Sequence, residues 1–153
     1  VHAPPAYVCP FCRVLSGVDS ERNTQSDIVW RDERTAALIS PKWWPENHGH
    51  VLVVPVTHVE NLYEVADPDL CAVAATTKRI AIALKEAYGC DGVSTRQHNE
   101  PAGNQDVWHL HVHVFPRYFG DELYQRHEEQ RWVTPAERAP YAERLERCLT
   151  PSA

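Results

Sequence analysis

Trp108-His109-Leu110-His111-Val112-His113-Val114-Phe115 is the stretch on which the fold reading turns. Successive side chains of a β-strand point to opposite faces. Read as a strand, the segment puts His109, His111 and His113 on one face, their backbone anchors roughly 7 Å apart. Leu110, Val112 and Val114 take the other face and can pack on a helix. Three imidazoles in a row fill a core badly, because each ring carries nitrogens that need partners when buried. Two chemistries use such a row. A neutral imidazole is a competent nucleophile toward phosphorus, and flanking imidazoles and amides can steady phosphoryl oxygens. Imidazole is also a common metal ligand. A third reading is a histidine-rich strand that merely faces water.

Working outward, the segments around this strand alternate between the two hydrophobic periods. Ile28–Arg31 and Thr35–Ser40 read as a hairpin around an Asp32-Glu33 turn. Pro41 to Gly49 is rich in breakers and reads as a loop, with Trp43 and Trp44 in it. His50–Pro55 is a β-branched strand. Pro68–Tyr88 is the clearest helix, with Asp67 to cap it and Gly89 to stop it. Leu70, Val73, Ala74, Thr77, Ile80, Ala81, Leu84 and Tyr88 form its expected buried face. Two strands come next, near Val93–Gln97 and Val107–Phe115. After Pro116 the chain is polar and partly helical. Thr134-Pro-Ala-Glu137 has the capping-box pattern, and Pro140 is expected to interrupt the helix that this box opens. Val1–Val8 reads as an unstructured tail and residues 17–26 as a loop. Strands, one long helix and more strands, joined by short links, predict an α+β domain of about five antiparallel strands. The whole chain, 1–153, reads as one domain with a C-terminal extension over 118–153.

The 153 residues carry a formal charge of −6, and the 15 basic residues are scattered. That argues against a nucleic-acid partner, which would gather them into a patch; a small anion needs only a local pocket. No apolar run approaches the roughly 18 residues of a membrane span, and no segment at the start resembles a secretory signal. Five cysteines, an odd number, point away from a disulfide framework and toward a reducing, cytoplasmic setting. Cys71 and Cys148 fall in helical patterns and read as small buried apolar side chains. Cys9-Pro10-Phe11-Cys12 has three readings: two ligands of a zinc site that needs about two more, a redox pair, or free thiols. A redox pair usually opens a helix after a strand, whereas this one succeeds a proline-containing tail.

The triad strand, together with Asn99-Glu-Pro-Ala-Gly-Asn-Gln105 and Gly49-His-Val-Leu-Val-Val-Pro-Val-Thr-His58, resembles the histidine triad (HIT) superfamily over about Cys9 to Arg117. Pro116-Arg-Tyr-Phe-Gly-Asp-Glu-Leu-Tyr is more similar to the fragile-histidine-triad hydrolases and related bacterial proteins than to the shortest members. The resemblance implies a nucleotide hydrolase in which His111 attacks phosphorus and carries a covalent nucleotidyl group. His113 would contact the phosphate and assist departure of the leaving group. His50, Gln105 and one of His98 or Asn99 (Asn99 on residue type) would line the phosphate site, and Ser40 falls near the family's ribose-binding position. Trp43 or Trp44 could stack on the base or simply pack within the loop. Resemblance to zinc-bearing bacterial members and galactose-phosphate uridylyltransferases selects His58 and His109 to join Cys9 and Cys12 in a structural zinc site, with His48 as rival ligand. It also implies a homodimer with a continuous sheet. Substrates would be dinucleoside polyphosphates or nucleoside phosphoramidates. A transferase or phosphorylase, a non-catalytic nucleotide sensor, and a module binding metal through all three triad histidines are the alternatives. Asp106 departs from the Ser or Thr of many relatives, and its carboxylate would repel phosphate unless it turns away or holds a histidine proton.

Overall fold

The computed structural model describes residues 2–150; Val1 of the expected tail and residues 151–153 of the extension lie outside the described residues. In chain order, α1 is Pro10–Leu15, β1 Ile28–Arg31, β2 Thr35–Ile39, β3 Lys42–Trp43, β4 Val51–Pro55, α2 Asp67–Tyr88, β5 Gly92–Gln97, β6 Val112–Arg117, β7 Arg131–Trp132 and α3 Pro135–Leu149. Five strands form one sheet in the order β1-β2-β4-β6-β5, every pair antiparallel. The α+β expectation is met.

β2 and β4 are buried along their whole length, because the sheet is covered on both faces. Ala37, Ile39, Val51, Val53 and Val114 point to the side packed by α2 and α3. Ala36, Leu38, Leu52 and Val54 point the other way, against Phe11, Val14 and Leu15 of α1. Each fully buried Val or Leu contributes about 1.5–3 kcal/mol of hydrophobic stabilisation. The short α1 covers only part of its face, and the uncovered part becomes the site.

Several details differ from the sequence reading. The triad strand begins at Val112, not Val107, because the amide of Leu110 donates to the carbonyl of Val59 (2.8 Å) instead of entering the ladder. The long helix ends as expected at Gly89, in the left-handed conformation, but no side chain caps its start. Thr76 rather than Ala74 is buried on it, and its hydroxyl shares a hydrogen bond with that of Thr35 (2.8 Å). Cys71 is exposed, not buried. The Thr134–Glu137 capping box forms. Pro140 does not interrupt α3, which runs on through it to Leu149, although the proline forgoes the bond to the carbonyl of Ala136. The expected loop and the extension contain β3 and β7, which pair with each other. The tail is irregular but docked: the amide of His2 donates to Glu60 (2.7 Å) and its ring stacks on Trp108.

A buried ion pair fastens the extension to the rest of the chain. Arg138 and Asp27, both almost fully enclosed, meet in a two-pronged contact (Nε to Oδ1 2.7 Å, Nη2 to Oδ2 2.9 Å). Its partners are 111 residues apart, and no local pattern announces it.

Candidate active site and metal centre

Register places the site. Antiparallel pairing sets Arg96 of β5 opposite His113 of β6, and Leu52 of β4 opposite the same residue. Paired residues share a face, so His113, Arg96 and Leu52 lie together on the side that α1 leaves open. His111 precedes β6 on that side, and His50 precedes β4. Gly49 makes the approach to His50 possible. Its φ is +73°, and a Cβ there would run into the ring of Tyr141 and the hydroxyl of Tyr88, so glycine is required twice over. The result is a cavity of about 600 Å³ whose walls include His50, His98, His111 and His113.

His111 is the best-defined member. Its Nδ1 lies 2.8 Å from the carbonyl of His109. A carbonyl can only accept, so Nδ1 carries the proton and the Nε2 lone pair is free. Burial lowers its pKa, with the His109 carbonyl and Asp106 opposing that shift. The Asp106 carboxylate lies 4.0 Å from Nε2 and is largely exposed; it neither turns away nor forms a close hydrogen bond.

His113 and His50 form a second layer. Their rings are 3.4 Å apart at Nδ1 and Nε2 respectively, and the other nitrogen of His50 is buried without a partner. A buried acceptor left unpaired costs less than a buried donor, so the arrangement favours His50 Nε2–H donating to His113. That leaves an N–H of His113 for a ligand. Burial holds His50 down to about 3, with Arg96 and His111 adding to the effect. Burial also pushes His113 well below the ordinary imidazole value, helped by His111 and His50. Both rings are neutral at pH 7.

The remaining expected residues divide. His98 lines the cavity, its Nδ1 held by the carbonyl of Asn104 (3.2 Å). Asn99 does not: its carboxamide accepts from the amide of Leu62 and exchanges hydrogen bonds with Gln97. Of the two, His98 stands at the cavity and Asn99 does not. Gln105 reaches the cavity wall but its amide is already committed, donating to the carbonyls of Glu60 and Val107 and accepting from Glu100. It braces the loop that carries Glu100 and Asn104 at positive φ and has no N–H left for phosphate. Ser40 is at the edge, its hydroxyl bonded to the backbone of Lys42. Trp43 packs in the core against Tyr141 and His48. Trp44 lines the cavity edge-on to His50 and Phe115. Arg96 lines it too and escaped the sequence reading; the signal lay in strand register, which a sequence alone does not give. From the extension, His127 and Trp132 supply part of the wall.

His109 leaves this group. Its ring faces Cys9, Cys12 and His58, and the four ligand atoms lie within 4.8 Å of one another. Individual separations are 3.3 Å (Cys9 Sγ to His109 Nδ1), 3.3 Å (Cys12 Sγ to His58 Nδ1), 3.6 Å (Cys12 Sγ to His109 Nδ1) and 3.1 Å (His58 Nδ1 to His109 Nδ1). A tetrahedral ion with metal–sulfur bonds of about 2.3 Å and metal–nitrogen bonds of about 2.0 Å needs edges of about 3.5 Å for S···N and about 3.3 Å for N···N. The cluster fits. His109 Nε2 meets the carbonyl of Pro55 (2.9 Å), which puts the proton on Nε2 and frees Nδ1, the outer-shell arrangement usual for ligating histidines. The pair does open a helix, with Cys9 as the N-cap of α1, yet its thiols face imidazoles. His48 stacks on Trp43 and is not in the cluster. Of the triad, only His109 is a member, so three histidines on one ion is not what the geometry builds.

Fold and site together define an imidazole-lined cavity set beside a two-cysteine, two-histidine cluster on one five-stranded sheet. A family model described as the HIT domain matches residues 21–120. An uncharacterized HIT-like protein of Methanocaldococcus jannaschii is 34% identical over 114 residues, which cover 74% of this chain and 82% of that protein. A bis(5'-adenosyl)-triphosphatase of Saccharomyces cerevisiae is 33% identical over 104 residues, 65% of this chain but only 50% of that protein. The crystal structure of a Zn-bound histidine triad family protein from Mycobacterium smegmatis is similar with a TM-score of 0.74, at 28% identity, over 92% of each chain. The chain belongs to the HIT family.

Proposed function

We propose that this protein hydrolyses nucleotide conjugates in two steps through a nucleotidyl group carried on His111. The observation that carries the reading is the fixed tautomer of His111: Nδ1–H is held by the His109 carbonyl, and Nε2 is unprotonated in a cavity lined by imidazoles. In the first step the Nε2 lone pair forms a bond to the α-phosphorus. The bond from phosphorus to the leaving oxygen or nitrogen breaks, and its electron pair departs with the leaving group, which then takes up a proton. The ring becomes a cation, and the His109 carbonyl and the Asp106 carboxylate stabilise that charge. In the second step water adds to phosphorus, releases a proton, and the N–P electron pair returns to Nε2. His113 supplies a donor for a phosphoryl oxygen, while His98, whose Nδ1–H is taken by the Asn104 carbonyl, shapes the wall beside it, so positioning and charge stabilisation carry most of the rate.

Cys9, Cys12, His58 and His109 would hold zinc. Four protein ligands close the site, so the metal would act structurally, tying α1 to the segment after β4 and to the entry of β6. Because His109 offers both a ligand nitrogen and the carbonyl that holds His111, the cluster would set the nucleophile's orientation without touching substrate.

The similarity to a bis(5'-adenosyl)-triphosphatase supports a nucleotide substrate. The test incubates the protein with dinucleoside polyphosphates and nucleoside phosphoramidates, with and without inorganic phosphate. Nucleoside monophosphate in both conditions is expected. A nucleoside diphosphate formed only with added phosphate would make the protein a phosphorylase; tight binding with no product would make it a sensor.

A further inference from the structure

Arg96 has no part in the steps above, yet it is a cation set against the triad. Its Cα is registered with His113. Its guanidinium lies 5.1 Å from the ring centre of Trp44 and 4.9 Å from that of Phe115, and it lines the same cavity as His111. Its Nε is buried without a hydrogen-bond partner. Among the described residues no ion pair includes it. A half-buried guanidinium that faces a cavity, with its Nε buried and no carboxylate partner among the described residues, is left available to a guest anion. The planar fork, backed by aromatic faces, suits phosphate.

Position says which phosphate. In the sheet order β2-β4-β6-β5, Arg96 stands on the opposite side of the triad strand from Ser40, at the end of β2, and both line the one cavity. A ligand whose phosphorus sits over His111 can extend one arm toward each. Nearer His111 stands Asp106, a carboxylate that disfavours extra negative charge unless a cation offsets it.

We propose that Arg96 receives the phosphate of the leaving group, so that the preferred substrates carry at least one further phosphate beyond the α-phosphorus, as dinucleoside polyphosphates do, rather than the uncharged amine of a phosphoramidate. This rests on the hydrolase reading. As the P–O bond breaks, its electron pair stays on the departing phosphate, and the added charge develops beside the guanidinium. The interaction therefore strengthens toward the transition state and acts on kcat as well as KM.

The experiment compares the full-length protein with R96Q and R96K on diadenosine tetraphosphate and on adenosine 5'-phosphoramidate. R96Q is expected to lose roughly 10- to 100-fold in kcat/KM on the tetraphosphate, the scale of one charge-assisted hydrogen bond, and at most about threefold on the phosphoramidate. R96K should regain part of the loss. Because no carboxylate among the described residues pairs with Arg96, the Tm of R96Q should stay within a few degrees of the parent. Calorimetric binding of ADP and of adenosine provides an independent arm, with only ADP expected to bind R96Q more weakly. Equal losses on both substrates, or an unchanged affinity for ADP, would overturn the proposal. If the parent turned over neither conjugate but R96Q still weakened ADP selectively, the hydrolase reading would fall while the anion site stood.

Discussion

His109 and His111 are two residues apart and use their rings in opposite ways. His109 gives its Nε2 proton to the carbonyl of Pro55 and turns Nδ1 to two thiols and a second imidazole. His111 gives its Nδ1 proton to the carbonyl of His109 and leaves Nε2 to the cavity. The side chains are chemically identical. What separates a ligand from a nucleophile is which nitrogen a backbone carbonyl claims. Phe11 packs edge-on against both rings and keeps the two environments apart.

The comparison breaks first, and hardest, at His111. His111→Ala should abolish turnover, by at least about 10⁴-fold, with the Tm and any bound zinc unchanged, as followed by product assay, thermal unfolding and metal analysis. A variant that lost zinc along with activity would merge the two regions into one. Cys9→Ala should do the reverse. It should empty the metal site and lower the Tm by roughly 5–15 °C, while activity per folded molecule falls far less than in His111→Ala. An unaltered Tm would deny the cluster a structural role.

Acidification should act on the cavity. The folded pKa values of His50 and His113 lie below the unfolded value of about 6.5, so the unfolded chain takes up protons first as pH falls. The stabilisation is whole above about pH 6.5 and is lost progressively on the way down to about 3. Tm measured between pH 8 and 5 should decline, and His50→Asn should flatten that decline; equal slopes in parent and variant would show that the buried ring is not its source. The smallest effects separate neighbours. His98→Ala, which removes a ring from the cavity wall, should cost about tenfold in kcat/KM through lost positioning, and Asn99→Ala less than about threefold. Steady-state kinetics giving the opposite ranking would put the ligand contact at Asn99.

Alternation and helical spacing made the sheet, the long helix and the shared cavity face of His111 and His113 legible, because those patterns arise from backbone geometry alone. The metal set was legible from residue types once a resemblance supplied His58 and His109. The features that escaped depend on contacts distant in the chain. Strand pairing ends short of His109 because Leu110 turns to Val59, and no local pattern marks that. Gln105 carries the residue type of a phosphate ligand, but its amide is spent on the backbone of Glu60, 45 residues away, and of Glu100 and Val107. Arg96 became visible only when register set it beside His113. The small β3–β7 pair and the Asp27–Arg138 contact join segments nearly ninety or more residues apart, where short sequence windows hold no information.

The division between the two histidines is tested most directly by identifying the atom that carries the nucleotide. The protein would be mixed briefly with a labelled dinucleoside polyphosphate, quenched in alkali, which spares N–P bonds, and mapped by peptide mass spectrometry and phosphorus NMR. The expected result is one adduct, on Nε2 of His111. An adduct on Nδ1, or on His109 at all, would contradict it.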